Sequence, residues 1–131
     1  MIAPQSRREF TKLALAALVS ACKAAGATKR DAAPVAAEIK KLGRRTLAMA
    51  VDVRQEDAVK ALVERTVKDL GRLDVMINNA GLGGTASVLE MTDEQWSRVL
   101  DITLTGTFRC VRAVGQRMVA SGTRGVIVNN A

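Results

Sequence analysis

The sequence contains no histidine, no tyrosine and only two cysteines. Zinc sites in proteins are built largely from Cys and His, so this chain has no pattern typical of a zinc centre, and two cysteines are too few for a disulfide framework. Aromatic residues make up 2% of the chain. Nucleic-acid surfaces interleave basic residues with aromatic stacking groups, so the composition predicts no nucleic-acid binding.

Length and charge favour one folded domain with a basic N-terminal third. A chain of 131 residues with 48% apolar content can bury about two-thirds of its unfolded surface. The net charge of +7 is uneven, because residues 1–45 hold ten basic and three acidic groups whereas residues 46–131 hold ten of each. The longest apolar stretch, residues 13–22, is too short for a comfortable bilayer span.

The most informative motif is Asn78-Asn79-Ala80-Gly81, which directly follows the apolar run at residues 73–77. A short apolar run closed by Asn and Gly predicts a buried parallel strand, and ligands of α/β proteins collect at the carboxyl ends of such strands. The small residues Ala80 and Gly81 leave room for a flat ribose or nicotinamide, while the asparagines can hydrogen-bond the turn itself.

Three further landmarks accompany this turn in the same order as in a known family. They are the segment from Leu42 to Val53, which ends in Asp52-Val53, the helical segment from Trp96 to Phe108, and the apolar strand from Gly125 to Asn129. Over about residues 35–131 the chain resembles the short-chain dehydrogenase/reductase family. The resemblance implies an α/β fold, a doubly wound parallel sheet in a three-layer, Rossmann-like α/β/α arrangement, here lacking the first two strands and the C-terminal half.

The family transfers a hydride between NAD or NADP and a small-molecule alcohol or carbonyl, and its members are often homo-oligomers. By resemblance, the cofactor site retains Asp52, Val53, Asn78, Ala80 and Gly81, with Asp52 and Val53 beside the adenine ring. Each has a purely structural alternative: Asp52 as a helix cap, and Asn78 and Gly81 as turn formers that no ligand requires.

The catalytic part of the family's pattern is absent from these 131 residues. There is no glycine-rich TGxxxGxG turn, which holds the cofactor pyrophosphate on backbone amides and a helix N-terminus. There is no Tyr-x-x-x-Lys, and the catalytic serine is expected at the residue after Ala131. Thr103 occupies the position of the family's helix asparagine, and it also fits a packed helix residue. The resemblance therefore implies no catalytic residue in this chain.

Periodicity predicts alternating helices and strands. Helices are expected at residues 7–25, 32–42 and 55–70, and strands at residues 46–51, 73–77 and 125–129. Thr92 and Gln95 form a capping box for a further helix, whose apolar stripe contains Trp96, Val99, Leu100, Thr103, Thr107, Val111, Val114 and Met118. Cys110 lies within this helical pattern and is expected in the core.

The family's strand order, 3-2-1-4-5, predicts a hole in the sheet. The two strands that the resemblance leaves out belong between the strands at residues 46–51 and 73–77. Either the retained strands pair directly, or their unpaired buried backbone groups cost about 1–3 kcal/mol each.

The N-terminal segment resembles a twin-arginine export signal. Arg7-Arg8 precede an apolar region, and Val19-Ser20-Ala21-Cys22 fits a lipobox whose Cys22 would carry the lipid anchor. An alanine-rich helix is the alternative. The sequence thus predicts a signal-like or helical segment at residues 1–30 and a partial dehydrogenase domain at residues 31–131. The protein is expected to be periplasmic or membrane-anchored if the signal acts, and cytoplasmic otherwise. A non-enzymatic, exported, lipid-anchored scaffold is the second functional hypothesis.

Overall fold

A computed structural model describes residues 18–22, 29–83 and 86–130, and the side chains of residues 32–83 and 86–130. Strands and helices alternate along these ranges. The strands are β1 (Leu18–Cys22), β2 (Leu47–Val51), β3 (Val75–Asn78) and β4 (Val126–Asn129). The helices are α1 (Lys29–Lys41), α2 (Glu56–Leu70), α3 (Asp93–Leu100) and α4 (Gly106–Ala120), and a π-helical turn, Asp101–Thr105, joins the last two.

The four described strands form two parallel ladders. β1 pairs with β2 from Leu18 opposite Leu47 to Cys22 opposite Val51. β3 pairs with β4 from Val75 opposite Val126 to Asn78 opposite Asn129. Within the described residues no ladder joins the two pairs. Parallel strands connected through helices are the arrangement expected of an α/β fold.

The prediction of a helix at residues 7–25 is wrong for residues 18–22, which form β1. The other residues of that range lie outside the described residues. Alanine-rich helix propensity is a weak preference, and here the backbone donors and acceptors of the segment pair with β2 instead. β1 thereby lies beside β2, where the 3-2-1-4-5 order puts one of the two strands that the resemblance omits. The gap in the sheet, which was expected to be two strands wide, is therefore one strand wide.

The core joins the ends of both ladders beneath α2 and α4. Its main cluster contains Val51, Val53, Val59, Leu62, Ile102 and Cys110. Met76 and Ala80, from β3 and the turn after it, pack against this cluster. The expected core position of Cys110 is confirmed, since it is buried. A shared core means that the two ladders form one packed unit although they lack a common hydrogen-bonded edge.

Helix α2 follows its predicted amphipathic pattern. Val59, Leu62, Val63 and Leu70 are buried along one face. At the edge of this face, the Glu56 carboxylate accepts a hydrogen bond from Arg112 of α4 at 2.6 Å and pairs with Lys60 at 2.8 Å. The hydrogen bond from Lys60 lowers the pKa of Glu56. The ion pair with Arg112 ties α2 to α4 at the rim of the core.

The predicted stripe of the last helix is confirmed only in its second half. Val114 and Met118 are buried, whereas Trp96 is 54% exposed and α3 contains no buried residue. The π-helical turn explains the difference. Its wider winding shifts the phase of the side chains, so the stripe of α3 does not continue onto the buried face of α4.

One face of the β3–β4 ladder is apolar and open. Val75 and Ile77 alternate with Met76 and Asn78, and they lie opposite Val126 and Val128. These four β-branched residues are 44–62% exposed. The third layer of an α/β/α arrangement is therefore not seen on this face among the described residues.

Candidate functional site

The turn after β3 is held by two asparagine pairs at the carboxyl ends of β3 and β4. Asn78 is buried, and its Nδ2 donates to Oδ1 of Asn129 at 2.8 Å. Asn130 donates from its backbone N to the carbonyl of Asn78 at 2.9 Å and from its Nδ2 to Oδ1 of Asn79 at 2.6 Å. The side chains of Asn78 and Asn79 thus bind the neighbouring strand end and fix the start of the turn.

The second half of the turn rests on the π-helical segment. The backbone N of Leu82 donates to Oγ1 of Thr103 at 3.3 Å. The carbonyl of Thr103 in turn accepts from Oγ1 of Thr107 at 2.7 Å. Thr103 is therefore more than a packing residue, because its hydroxyl anchors the backbone of the candidate site to the helix.

The backbone of Gly81 is exposed at this point. A methyl group added to it would lie 3.6 Å from Oγ1 of Thr103, an ordinary contact, and Gly81 has no positive φ. Neither backbone geometry nor crowding by the protein requires glycine here. The exposed glycine at position 81, next to two fixed strand ends, is the feature of the site that the fold itself leaves unexplained.

The Asp52-Val53 pair lies at the end of β2, where the resemblance places it. The Asp52 carboxylate accepts from the backbone N and Nε of Arg54, both at 3.0 Å, and from its Nη2 at 2.7 Å. The helix-cap alternative for Asp52 is wrong, since Gln55 is the N-cap of α2. Asp52 instead shapes the turn before the helix through Arg54.

Val53 is 5% exposed and packs against Gly106 at the start of α4. Val53 and Ala80 belong to one apolar cluster. The fold therefore brings the predicted residues after β2 and those after β3 to the same edge. Their assignment to the cofactor stays a prediction, because Val53 presents little of its side chain and Asp52 already binds Arg54.

Four residues of this site were not predicted from the sequence. Asn129, Asn130 and Arg54 are the partners of Asn78, Asn79 and Asp52, and Gly106 gives Val53 its place. The sequence does contain an indication of the Asn78–Asn129 pair, since two parallel apolar strands that both end in Asn bring these side chains to the same sheet edge. Within the described residues no group of three His, Cys, Asp or Glu side chains could hold a metal ion.

Comparison with known proteins accounts for this arrangement. The model of the short chain dehydrogenase family matches residues 11–131. A hexahydro-1H-indene-carboxyl-CoA reductase of Mycobacterium tuberculosis is 45% identical over 104 residues, which are 79% of this chain and 40% of that protein. The 2-dehydro-3-deoxy-D-gluconate 5-dehydrogenase of Escherichia coli is 29% identical over 91% of this chain and 47% of its own length.

Solved structures agree with the sequence matches. Carveol dehydrogenase from Mycobacterium avium, solved in complex with NAD, is 36% identical with a TM-score of 0.73 over 79% of this chain and 38% of its own. A short chain dehydrogenase from Mycobacterium smegmatis is 46% identical with a TM-score of 0.68 over 76% and 42%. The chain spans less than half the length of these relatives. With its parallel strands, its Asn78–Gly81 turn and a family match from residue 11 onward, this chain belongs to the short-chain dehydrogenase/reductase family, and the predicted Rossmann-like α/β fold is confirmed.

Proposed function

We propose that this chain is part of an oxidoreductase that transfers a hydride between NAD or NADP and a small alcohol or carbonyl. The turn formed by Asn78, Asn79, Ala80 and Gly81 holds the nicotinamide and ribose end of the cofactor. The observation that carries the proposal is the open backbone at Gly81, which the fold does not need for itself. The asparagine pairs and Thr103 make this backbone rigid before a ligand arrives.

The adenine end of the cofactor belongs, in this proposal, beside Asp52 and Val53. Relatives support the cofactor class, since an uncharacterised M. tuberculosis oxidoreductase that is 39% identical is named as NAD-dependent and carveol dehydrogenase was solved with NAD. Assembly into homo-oligomers is likewise proposed from the family. The direct test is titration with nicotinamide mononucleotide, followed at the backbone amides of residues 79–82, where we expect the shifts to concentrate.

These 131 residues are expected to transfer no hydride by themselves. They contain no tyrosine to act as the proton donor, and general acid–base catalysis typically contributes about 10²- to 10⁴-fold in rate. Thr103 is a poor substitute for the family's relay asparagine, because a threonine hydroxyl has a shorter reach and lacks the second polar atom of the amide.

The measurement is nicotinamide absorbance over time with a panel of alcohols and carbonyls. An intact family member, such as carveol dehydrogenase, is the positive control in the same buffer. Turnover by the purified chain above the background without protein would show that another residue donates the proton, and would overturn the assignment of no catalytic residue.

Export of a lipid-anchored protein is the second candidate function, favoured by Arg7-Arg8 and the lipobox that ends at Cys22. Residues 7, 8 and the apolar segment up to 17 lie outside the described residues, whereas residues 18–22 form β1. A segment cannot both pair with β2 and serve as a cleaved signal. None of the described helices is long and apolar enough to cross a membrane.

Fractionation of a bacterial host expressing a tagged chain decides between the two arrangements. If a signal acts, Arg7→Lys plus Arg8→Lys should block export although the charge is unchanged, because the receptor reads guanidinium groups. Cys22→Ala should then remove only the lipid. Full-length cytoplasmic protein with and without the arginine changes would contradict export and leave residues 18–22 to the sheet.

A further inference from the structure

The edge of the protein opposite the cofactor turn carries an excess of exposed basic side chains. Helices α1, α2 and α4 each end in a turn that leads to the next strand, at the start of β2, β3 and β4. These starts lie on one edge, because the strands of each ladder are parallel and the ends of β2 and β3 meet in one core cluster. The basic edge consists of the exposed residues Lys40, Lys41, Arg45, Lys68, Arg117 and Arg124. It does not include Arg44, which has an interaction of its own.

The described part of the protein does not neutralise the basic edge. Within the described residues, none of its members takes part in an ion pair. The nearby carboxylates of Asp69 and Asp74 pair with Arg65 and Arg72 instead. The exposed Glu38, in the second half of α1, is the remaining acidic group close to these cations in the described ranges. The edge therefore has a clear positive excess.

Helix dipoles account for only part of this excess. Four of the cations stand in the last turns of α1, α2 and α4, where a positive charge complements the helix dipole. Arg45 and Arg124 lie outside the helices, in the turns before β2 and β4, and the fold does not require their charge. Residues 1–17, which lie outside the described residues, hold three basic residues and one acidic residue, so their composition does not reverse the sign.

Two strongly exposed apolar side chains accompany the cations. Leu42 directly follows Lys41 and is 77% exposed, and Val119 is 83% exposed in the last turn of α4. The backbone of Leu42 is fixed, because its N donates to the carbonyl of Ile39 at 3.2 Å and Gly43 follows with a φ of 72°. Basic residues combined with protruding apolar ones are typical of surfaces that bind anionic membranes, where cations meet the headgroups and apolar groups enter the acyl boundary.

We propose that the basic edge binds the surface of an anionic lipid membrane, with its cations at the headgroups and Leu42 and Val119 at the acyl boundary. A nucleic-acid partner is disfavoured, because base stacking uses aromatic side chains and the described aromatic residues, Trp96 and Phe108, lie in α3 and the first turn of α4. This orientation leaves the cofactor turn, at the opposite edge, open to solution. The proposal depends neither on cofactor binding nor on a lipid at Cys22.

The test is sedimentation of the full chain, purified without a lipid on Cys22, with phospholipid vesicles. One set of vesicles is phosphatidylcholine alone, and the other contains about 30% phosphatidylserine. We expect the protein to sediment with the phosphatidylserine vesicles at about 0.1 M salt and to be released at about 0.5 M, because salt screens the attraction. Little protein should sediment with phosphatidylcholine alone.

A matched pair of charge variants separates the basic edge from the net charge of the protein. Arg45→Gln plus Arg124→Gln removes two cations that complement no helix end, and should weaken partition into the phosphatidylserine vesicles about tenfold or more. Gln55→Glu plus Lys60→Gln changes the net charge by the same amount near the start of α2, at the opposite edge. Partition of this control should stay within about twofold of the unmodified chain.

A second pair tests the apolar contact. Leu42→Ser should weaken partition about threefold or more, whereas Leu89→Ser, at a residue that is 92% exposed in the loop before α3, should not. Circular dichroism of every variant checks folding, and the leucine pair decides the outcome if loss of the two arginines disturbs it.

Four outcomes would overturn the proposal. Equal sedimentation with both kinds of vesicle would exclude recognition of anionic lipid. Equal weakening by the two charge variants would assign the binding to net charge, and full binding by the folded Arg45 and Arg124 variant would assign it to residues outside the basic edge. Tighter binding of a single-stranded RNA than of the vesicles, lost in that same variant, would identify the edge as a nucleic-acid surface.

Discussion

Replacing Ile102 with Ala is expected to lower the free energy of unfolding by about 2–5 kcal/mol. Ile102 is completely buried in the π-helical turn and packs in the cluster that joins the ends of β2 and β3. Removal of its side chain leaves a cavity at the junction of the two ladders. Because these ladders share no hydrogen-bonded edge among the described residues, we expect the packing at Ile102 to carry much of their cohesion.

Leu104→Ala is the matched control, two residues along the same turn. Leu104 is 66% exposed, so its truncation should change the free energy of unfolding by only about 0.5 kcal/mol or less. Urea denaturation of both variants gives the comparison. Equal destabilisation by the two substitutions would mean that the π-helical turn does not direct Ile102 into the core.

Replacing Gly106 with Ala is expected to lower the free energy of unfolding by about 1–3 kcal/mol through overpacking. The added methyl group would lie 2.6 Å from Cγ2 and 3.0 Å from Cβ of Val53. Val53 is buried and cannot move without disturbing the cluster around it. The substitution would therefore displace the segment after β2, which contains Asp52, as well as α4.

Two controls isolate this contact. Gly115→Ala lies in the same helix with nothing within 4 Å of the added methyl group, so it should stabilise the protein by about 0.4–1 kcal/mol. Combining Gly106→Ala with Val53→Ala should cost less than the sum of the single changes, because the second substitution removes the clash. Strict additivity of the two would contradict direct contact between Gly106 and Val53.

Much of the local structure was predictable because it depends on short-range patterns. Helix α2 has its apolar residues at helical spacing, acidic residues at Glu56 and Asp57 in its first turn and Gly71 after its last turn, and the structure places all of them as predicted. The capping box of Thr92 and Gln95 is likewise present. Each of these features lies within one or two helical turns, where spacing alone determines which groups can meet.

The errors concern features set by distant residues. β1 forms a strand because β2 offers a ladder to residues 18–22 from 29 positions along the chain. Trp96 is exposed because the π-helical turn, which no residue pattern announces, breaks the phase between α3 and α4. Within the candidate site, the turn itself follows from its sequence, whereas its support by Asn129, Asn130 and Thr103 depends on tertiary pairing.

In the proposed arrangement, the turn at residues 78–81 holds the nicotinamide and ribose end of the cofactor without a cradle for the pyrophosphate. In the family, that charge is bound by the glycine-rich turn at a helix N-terminus, which these 131 residues do not contain. Most of the affinity available here should therefore come from the nicotinamide side, and the adenine half of NAD should add little.

The most direct measurement compares NAD with nicotinamide mononucleotide by NMR titration of the full chain and of its Gly81→Ala and Gly115→Ala variants. Both substitutions add one methyl group without a steric clash, so both variants should remain folded. The account predicts weak binding, with the two dissociation constants within about threefold of each other, shifts centred on residues 79–82, and loss of binding in Gly81→Ala only. A micromolar dissociation constant for NAD with much weaker binding of the mononucleotide, or equal binding by the two glycine variants, would contradict it.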